Sequence, residues 1–173
     1  FKICKGEIIF LLDSDDYFLK NKIKKIIKVF ETNNKIKVIY DLPVILKDKK
    51  KMLVKNKQRI LNNYWPYIPP QSCISFRRKY FEEMINKIKI NNFYDVWMDF
   101  RLAIYLKYIE KNFYIHDQNL TIYRQNVNSV SSSFTFLSTN WWKRRLQAHQ
   151  YIKFFFNKNK INYKRNFDYY FTK

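Results

Sequence analysis

Near its beginning the chain reads Lys5-Gly6-Glu7-Ile8-Ile9-Phe10-Leu11-Leu12-Asp13-Ser14-Asp15-Asp16. A short apolar run that follows a glycine predicts a buried β-strand. Three of the next four residues are aspartates, namely Asp13, Asp15 and Asp16. Acidic side chains at the carboxyl end of such a strand lie where open α/β sheets bind their ligands. The opening therefore predicts both a strand and a site.

Three carboxylates this close together repel one another unless a cation lies among them. Hard oxygen ligands suit Mg²⁺ or Mn²⁺, which hold one or two protein carboxylates and complete their shell with water and substrate phosphates. We therefore interpret the aspartates as a divalent-metal site. The alternative is a strand followed by a helix cap, in which Ser14, Asp15 or Asp16 caps the next helix.

The same segment resembles the metal-binding strand of family 2 glycosyltransferases of the GT-A fold, which carries their Asp-X-Asp signature. The resemblance implies that Asp13 and Asp15 hold a divalent metal, Mn²⁺ or Mg²⁺, against the diphosphate of a nucleotide-sugar. Asp16 is an adjoining third acid on the substrate side. The implied fold is α/β, part of a GT-A-like three-layer sandwich related to the Rossmann fold.

Composition sets the outer bounds. The chain has 173 residues, of which 47% are hydrophobic and 20% aromatic, enough for one sizeable core in a single domain. No stretch approaches the roughly 20 apolar residues of a membrane-spanning helix, so we expect a cytoplasmic protein, with peripheral contact at the inner face of the membrane as one option. Cys4 and Cys73 are too few for a disulfide framework or a zinc site, and we expect both to be buried.

The formal net charge of +20 is compatible with nucleic acid as a partner. It is equally compatible with anionic lipid, near which each Lys or Arg contributes about 1 kcal/mol. The abundance of Lys, Ile, Asn, Tyr and Phe beside a single glycine is the pattern that an AT-rich coding bias produces. We therefore interpret much of the charge as solvated surface and do not expect nucleic acid to be the partner.

Hydrophobic periodicity predicts the first elements. One helix face is indicated at the spacing i, i+3, i+4, i+7 by Leu19, Ile23, Ile26, Ile27 and Phe30. A β-type run over residues 36–40 follows, so the order strand, helix, strand predicts a parallel crossover unit. Residues 47–57 are dense in charge and predict an exposed loop or an edge hairpin.

Prolines and aromatic residues alternate over residues 64–70, ahead of a short strand and a helix at 80–88. Such a rigid aromatic loop is a platform for sugar rings or bases, or it folds onto the core. In the resembling family a segment ending in Ser-X-Arg-Arg lines the acceptor side of the site. Ser75, Arg77 and Arg78 match that ending, which implies that Ser75 and Arg77 bind substrate, although Cys73 replaces a smaller residue.

Asp95 and Asp99 are four residues apart, so a helix beginning near Asp95 would place both carboxylates on one face, about 5–6 Å apart. Inverting sugar transfer needs a carboxylate that takes the proton of the acceptor hydroxyl. The family supplies this base from a Glu-Asp pair, and Asp95 has the matching spacing to Arg101. Because Tyr94 replaces the first acid, Asp99 remains an alternative base. A purely structural interpretation makes Asp95 a helix cap and pairs Asp99 with Arg101 or a lysine.

Residues 111–115 and 120–123 predict two short strands around a turn at 116–119, where His116 is a turn residue. Arg124 and a polar loop at 126–133 follow. In the family a Leu-X-X-Tyr-Arg strand and a serine-rich loop lie beside the diphosphate. Arg124 matches that arginine, whose fork of donors suits oxyanions; pairing with a carboxylate at a strand edge is the alternative.

The last predicted helix begins near Thr139 or Asn140 and carries Trp141 and Trp142 next to three cations. These tryptophans are candidates for glycan, lipid or nucleic-acid contact, or they pack in the core while the cations reach solvent. One face of this helix is formed by Trp142, Leu146, His149, Ile152 and Phe156.

The motifs occur in the family's order over residues 1–125, which we interpret as the carboxyl-terminal part of a GT-A-like domain. Residues 126–173 are then a loop and a basic, aromatic helical extension. No strand and loop for the nucleotide base precede the metal-binding strand, so we expect a partial domain that binds donor poorly or not at all on its own.

The resemblance implies an inverting transfer from a nucleotide-sugar donor to a saccharide or lipid-linked acceptor. The alternative is a non-catalytic basic module that binds nucleic acid or anionic membrane through residues 141–145.

Overall fold

The computed structural model describes residues 3–55, 65–66, 69–88, 92–125, 133–165 and 167–173. Its strands are β1 (Ile8–Phe10), β2 (Tyr17–Phe18), β3 (Val38–Lys47), β4 (Lys50–Leu53), β5 (Ile74–Arg77) and β6 (Phe113–Arg124). Its helices are α1 (Lys22–Thr32), α2 (Arg78–Ile88), α3 (Met98–Tyr105), α4 (Thr139–Lys158) and α5 (Phe167–Thr172). A 3-10 turn (Gln71–Cys73) precedes β5, and a π-helical turn (Leu106–Glu110) continues α3.

The strands form one mixed sheet in the order β1-β5-β3-β6-β2, with β4 paired to β3 beside this path. β5 is antiparallel to both β1 and β3, so β1 and β3 run in the same direction with β5 between them. β3 and β6 are parallel. The predicted crossover from β1 through α1 to β3 is therefore confirmed.

Helices cover both faces of the sheet. Successive residues of a strand point to opposite faces, and on β3 the side chains of Val38 and Tyr40 pack in the core formed with α2, α3 and α4. The side chain of Ile39 packs on the other face against Ile26 and Phe30 of α1. The result is a three-layer arrangement, and α4 shares a core with the sheet.

The predicted apolar face of α1 is partly wrong. Ile26 and Phe30 are fully buried, but Ile23 is 50% exposed and Leu19 lies before the helix begins. The buried stripe instead continues to Lys22, one turn before Ile26. A buried ammonium group needs a paired anion, and Asp41 of β3 supplies it.

The predicted turn at residues 116–119 is also wrong, because β6 continues through these residues as a single strand. The parallel pairing shifts here, since Tyr40 pairs with Ile115 and Leu42 with Asn119. The Asn119 side chain donates to the carbonyl oxygens of Pro43 and Val54 at 2.7 and 3.0 Å, which holds the bulged strand against β3.

Two further expectations are resolved at the surface. The predicted edge hairpin in the charge-dense segment 47–57 is confirmed by the pairing of β3 with β4. Residues 56–57 lie outside the described residues. Cys73 is buried as expected, but Cys4 is exposed, so that expectation is wrong for Cys4.

None of the helices within the described ranges combines the length and the apolar character that crossing a membrane requires.

Candidate active site

The acidic segment leaves the sheet directly after β1 and is held from two sides. On one side the amide of Asp13 donates to the Ser72 hydroxyl at 3.0 Å, and Oδ1 of Asp13 accepts from the Gln71 side chain at 3.0 Å. Gln71 and Ser72 belong to the 3-10 turn before β5. This turn therefore positions the first carboxylate of the predicted Asp-X-Asp pair.

On the other side the segment is tied to the end of β6. Oδ1 of the buried Asp16 accepts from the amide of Arg124 at 2.9 Å. The Arg124 side chain donates through Nε to the carbonyl oxygen of Asp15 and lies over the ring of Tyr17. Asp16 and Arg124 thus fix the shape of the acidic loop. Their predicted contact with substrate stays a prediction.

Negative charge accumulates at this loop. Burial raises the pKa of Asp13, and the charges of Asp16, Asp15 and Asp99 raise it further, while the bond from Gln71 lowers it. Burial also raises the pKa of Asp16, against the lowering by Ser72 and Arg124. The charge of Asp99 acts on Asp13 although the two aspartates are 86 positions apart in the chain.

Among the described residues, no three His, Cys, Asp or Glu side chains are gathered closely enough to hold a metal ion by themselves. The carboxylates of Asp13 and Asp15 nevertheless fit a site that uses one or two protein ligands, because hard oxygens are the donors that Mg²⁺ and Mn²⁺ prefer. The charges of Asp15, Asp16 and Asp99 that raise the pKa of Asp13 are the feature that a divalent cation would relieve.

A fully buried ion pair lies under the loop. Nζ of Lys22 is 2.7 Å from Oδ1 of Asp41, and neither side chain has exposed surface. The same nitrogen donates to the hydroxyl of Thr121 at 2.7 Å and to the carbonyl oxygen of Ser72 at 2.6 Å. Thr121 in turn donates to Oδ2 of Asp41 at 2.6 Å. This network connects α1, β3 and β6 to the turn that holds Asp13.

The predicted shared helix face of Asp95 and Asp99 is wrong, because α3 begins only at Met98, with Trp97 at the N-cap position. Asp95 lies before the helix and Asp99 in its first turn. The reason is Arg101, whose side chain donates to the carbonyl oxygens of Phe93 and Val96 at 2.6 and 2.7 Å and so stabilises a turn over those residues.

The two carboxylates have different surroundings. Asp95 forms a reciprocal pair with Gln147 of α4: its amide donates to Oε1 at 3.1 Å, and its Oδ2 accepts from Nε2 at 2.7 Å. Asp99 accepts from the amide of Phe100 at 2.7 Å. Burial raises the pKa of Asp99, while the Phe100 amide and the charge of Arg144 lower it.

A cleft of about 440 Å³ opens beside Asp95. Its wall is largely aromatic and contains one carboxylate and two arginines: Trp65, Pro66, Asp95, Val96, Trp97, Phe100, Phe134, Trp141, Arg144, Arg145 and Ala148. Its volume lies in the range of small-molecule sites. Arg144 of this wall interacts electrostatically with both Asp95 and Asp99.

Two predicted substrate-binding residues have structural contacts instead. Ser75 is completely buried in β5 between β1 and β3. Arg77 donates to the carbonyl oxygens of Phe30 and Ile36 at 2.5 and 3.1 Å and therefore holds the end of α1. Their predicted contact with substrate stays a prediction.

The two predicted tryptophans of α4 are divided. Trp141 lines the cleft, whereas the ring of Trp142 packs 5.7 Å from Phe171 of α5. The adjacent cations are also divided, since Arg144 and Arg145 line the cleft and Lys143 is exposed.

Asp168 of α5 organises one wall of the cleft. Its Oδ2 accepts from Nε1 of Trp65 at 2.7 Å and lies 2.9 Å from Nε2 of His149, while Arg145 binds its other oxygen. Burial raises the pKa of Asp168, but the Arg145 and Trp65 donors outweigh it and the pKa lies below its ordinary value. Burial lowers the pKa of His149, against the opposing charge of Asp168.

Sequence reasoning missed four residues that position the site: Gln71, Ser72, Gln147 and Asp168. A single polar residue is compatible with either an exposed or a buried position, so the sequence pattern does not single it out. Asp168 did carry a signal, because it is the single acidic residue among residues 143–173, which are otherwise basic and aromatic.

The sequence profile of glycosyl transferase family 2 matches residues 1–102. This match spans more than half of the chain, which therefore belongs to glycosyl transferase family 2. No curated protein sequence matches the chain.

Among solved structures, the fold is similar to the crystal structure of S. aureus TarS 1-349 in complex with UDP-GlcNAc, with a TM-score of 0.56 and 13% sequence identity. The similarity covers 87% of this chain and 44% of the TarS chain, so this chain spans less than half of that length. The predicted fold class, α/β and part of a GT-A-like domain, is confirmed.

Proposed function

We propose that this chain carries the metal-binding and acceptor side of an inverting glycosyltransferase that uses a nucleotide-sugar donor. Membership of glycosyl transferase family 2 supports sugar transfer, and UDP-GlcNAc in the similar TarS structure supports a nucleotide-sugar. The observation that supports the proposal is the held position of Asp13 in the acidic loop, where its amide and its carboxylate bind Ser72 and Gln71, together with the aromatic cleft that Asp95 lines.

In this proposal Asp13 and Asp15 hold a divalent cation, Mn²⁺ or Mg²⁺. When bound, the cation offsets charge on the departing diphosphate. Gln71 and Ser72 keep Asp13 oriented toward it. Asp16 and Arg124 maintain the loop, so that the two ligands do not need to reorganise when donor and metal enter.

The acceptor, a saccharide or a lipid-linked saccharide, enters the cleft. Asp95 acts as the base and takes the proton of the attacking hydroxyl, because it lines the cleft and Gln147 fixes its orientation. Asp99 is the alternative base, since its charge acts on Asp13 of the acidic loop. Attack from the face opposite the leaving diphosphate inverts the anomeric carbon.

Metal-dependent nucleotide binding tests the proposal. UDP and GDP are titrated calorimetrically into the wild type, Asp15→Ala and Glu82→Gln, with Mn²⁺ or with EDTA. Glu82→Gln is the matched control, because it removes one negative charge from the exposed face of α2.

We expect binding that requires Mn²⁺ and is weakened by at least about tenfold, or 1.4 kcal/mol, in Asp15→Ala only. Binding that is unchanged by EDTA or by Asp15→Ala would contradict the metal site. The absence of binding of either nucleotide under all conditions would contradict a donor site in this chain.

A further inference from the structure

Two consecutive arginines of α4 lie between aromatic rings at the wall of the cleft, and they differ in what their donors bind. The Arg145 guanidinium lies 4.9 Å from the ring of Trp65 and 5.0 Å from that of Trp141. Its Nε donates to the Thr172 hydroxyl and its Nη2 to the Asp168 carboxylate. Arg145 is therefore a structural arginine.

Arg144 also lies over two aromatic rings, but among the described residues it has no counterpart of the acceptors Asp168 and Thr172. Its guanidinium lies 3.7 Å from the ring of Trp97 and 4.8 Å from that of Phe134. Within the described part of the chain, no group accepts a hydrogen bond from it. Asp95 and Asp99 influence it electrostatically without being hydrogen-bonded to it.

Stacked rings fix the plane of a guanidinium and cover the faces that have no donors. The N–H groups lie in the plane, so they remain available as a fork that matches a carboxylate or a phosphate. A half-buried fork held in this way loses little conformational entropy when it binds an anion. Lysine would not meet the same requirement, because its ammonium group neither stacks flat nor binds in a bidentate manner.

The other groups of the cleft fit a sugar. Asp95 presents a carboxylate that accepts from hydroxyl groups, and aromatic rings such as Trp141 offer apolar faces to a pyranose ring. The net charge of +20 attracts anions toward the protein as a whole.

From these contacts we infer that the acceptor is an anionic saccharide, whose phosphate or carboxylate group is bound by Arg144. That the saccharide is the acceptor rests on the proposed function. That it carries an anionic group rests on Arg144 and its two rings.

Saccharide binding can be measured separately from nucleotide binding by calorimetry or by tryptophan fluorescence. The probes are lactose, lactose 1-phosphate, a disaccharide ending in glucuronic acid, and inorganic phosphate. Both charged disaccharides share the required chemistry, and the comparison between them shows which acid group is preferred. The proteins are the wild type, Arg144→Gln, Arg144→Lys and Lys143→Gln, the last being an equal change of charge at the exposed neighbour.

At least one charged disaccharide is expected to bind about tenfold or more tightly than lactose, and Arg144→Gln is expected to remove that preference. Arg144→Lys should retain only part of it, whereas Lys143→Gln should change affinity by less than about twofold. Equal binding of lactose and both charged disaccharides would overturn the inference, as would an unchanged preference in Arg144→Gln. Binding of inorganic phosphate that is as tight as that of the disaccharides, and equal in all variants, would show general attraction to the basic surface and would also overturn it.

Nucleotide binding on the same samples separates the two claims. Metal-dependent UDP binding without a preference for charged disaccharides would overturn only the acceptor class. A preference that depends on Arg144, without nucleotide binding, would overturn the proposed transferase and leave an anionic-saccharide site.

Discussion

At the scale of single residues, the two carboxylates before and within α3 differ in their surroundings. Asp95 lines the cleft and is held by Gln147, whereas Asp99 lies in the first turn of α3, where burial raises its pKa. The sequence could not separate them, because their spacing of four fits one helix face, and only the turn that Arg101 stabilises shows that the helix begins later.

This difference leads to a prediction about the base. Asp95→Asn should lower the turnover number by about 10²–10⁴-fold, the usual contribution of general base catalysis, while metal-dependent UDP binding is retained. The measurement is the release of UDP from a UDP-sugar in the presence of acceptor. Asp99→Asn is the matched variant and should cost much less. A larger loss in Asp99→Asn than in Asp95→Asn would transfer the role of base to Asp99.

At the scale of elements, helices and strands with a regular hydrophobic pattern were predictable. Positions where a polar side chain has a partner distant in sequence were not. The face of α4 predicted from its spacing is confirmed at His149, Ile152 and Phe156, which are buried. The helix itself begins at Thr139 with Ser138 as its cap, within one residue of the prediction. Hydrophobic periodicity identifies such helices because the burial of one face requires apolar residues at helical spacing.

Sequence patterns gave the wrong prediction where a polar side chain is satisfied by a partner inside the fold. The polar run at residues 116–119 has the composition of a turn, yet the Asn119 amide satisfies carbonyl oxygens of β3 and of the residue after β4, so the strand continues. Lysine at position 22 indicates a solvent-facing position, yet Asp41 compensates its charge in the core. These exceptions depend on partners distant in sequence.

The small helix α5 gives the element-scale prediction. Asp168→Ala leaves Trp65, Arg145 and His149 without their common acceptor, so the free energy of unfolding should fall by about 1–3 kcal/mol. Urea denaturation measures this loss, and tryptophan emission should shift to longer wavelength as Trp65 becomes solvated. Asp117→Ala removes an aspartate whose side chain is 81% exposed and serves as the control. Equal stability of the two variants would show that α5 does not hold this wall of the cleft.

At the scale of the whole molecule, the sheet brings together groups that are far apart along the chain. The acidic loop after β1, the turn before β5 and the end of β6 meet through hydrogen bonds, and the charge of Asp99 at the start of α3 acts on the same loop. The order of strand, helix and strand predicted the crossover, and the resemblance predicted the order of the motifs. The effect of the Asp99 charge on Asp13 and the pairing of Gln147 with Asp95 depend on tertiary packing, which no local pattern encodes.

The accumulated charge has a consequence for stability. The pKa of Asp13 is raised in the folded protein, so its carboxylate destabilises the fold at neutral pH. This penalty is absent below the ordinary pKa of an aspartate and grows as the pH rises through the raised pKa. A bound cation would convert the penalty into binding energy.

The most direct test is therefore the melting temperature of the wild type and of Asp13→Asn at neutral pH, measured first in EDTA and then with Mn²⁺ and UDP. In EDTA, Asp13→Asn should melt higher by about 1–2 °C, because solvent screening at this partly exposed carboxylate limits the gain to about 0.5 kcal/mol. With Mn²⁺ and UDP the order should reverse, because ligand at about 100 times its Kd stabilises the wild type by about 2.7 kcal/mol. A lower melting temperature for Asp13→Asn in EDTA, or an equal response of both proteins to Mn²⁺ and UDP, would contradict a metal-dependent donor site at the acidic loop.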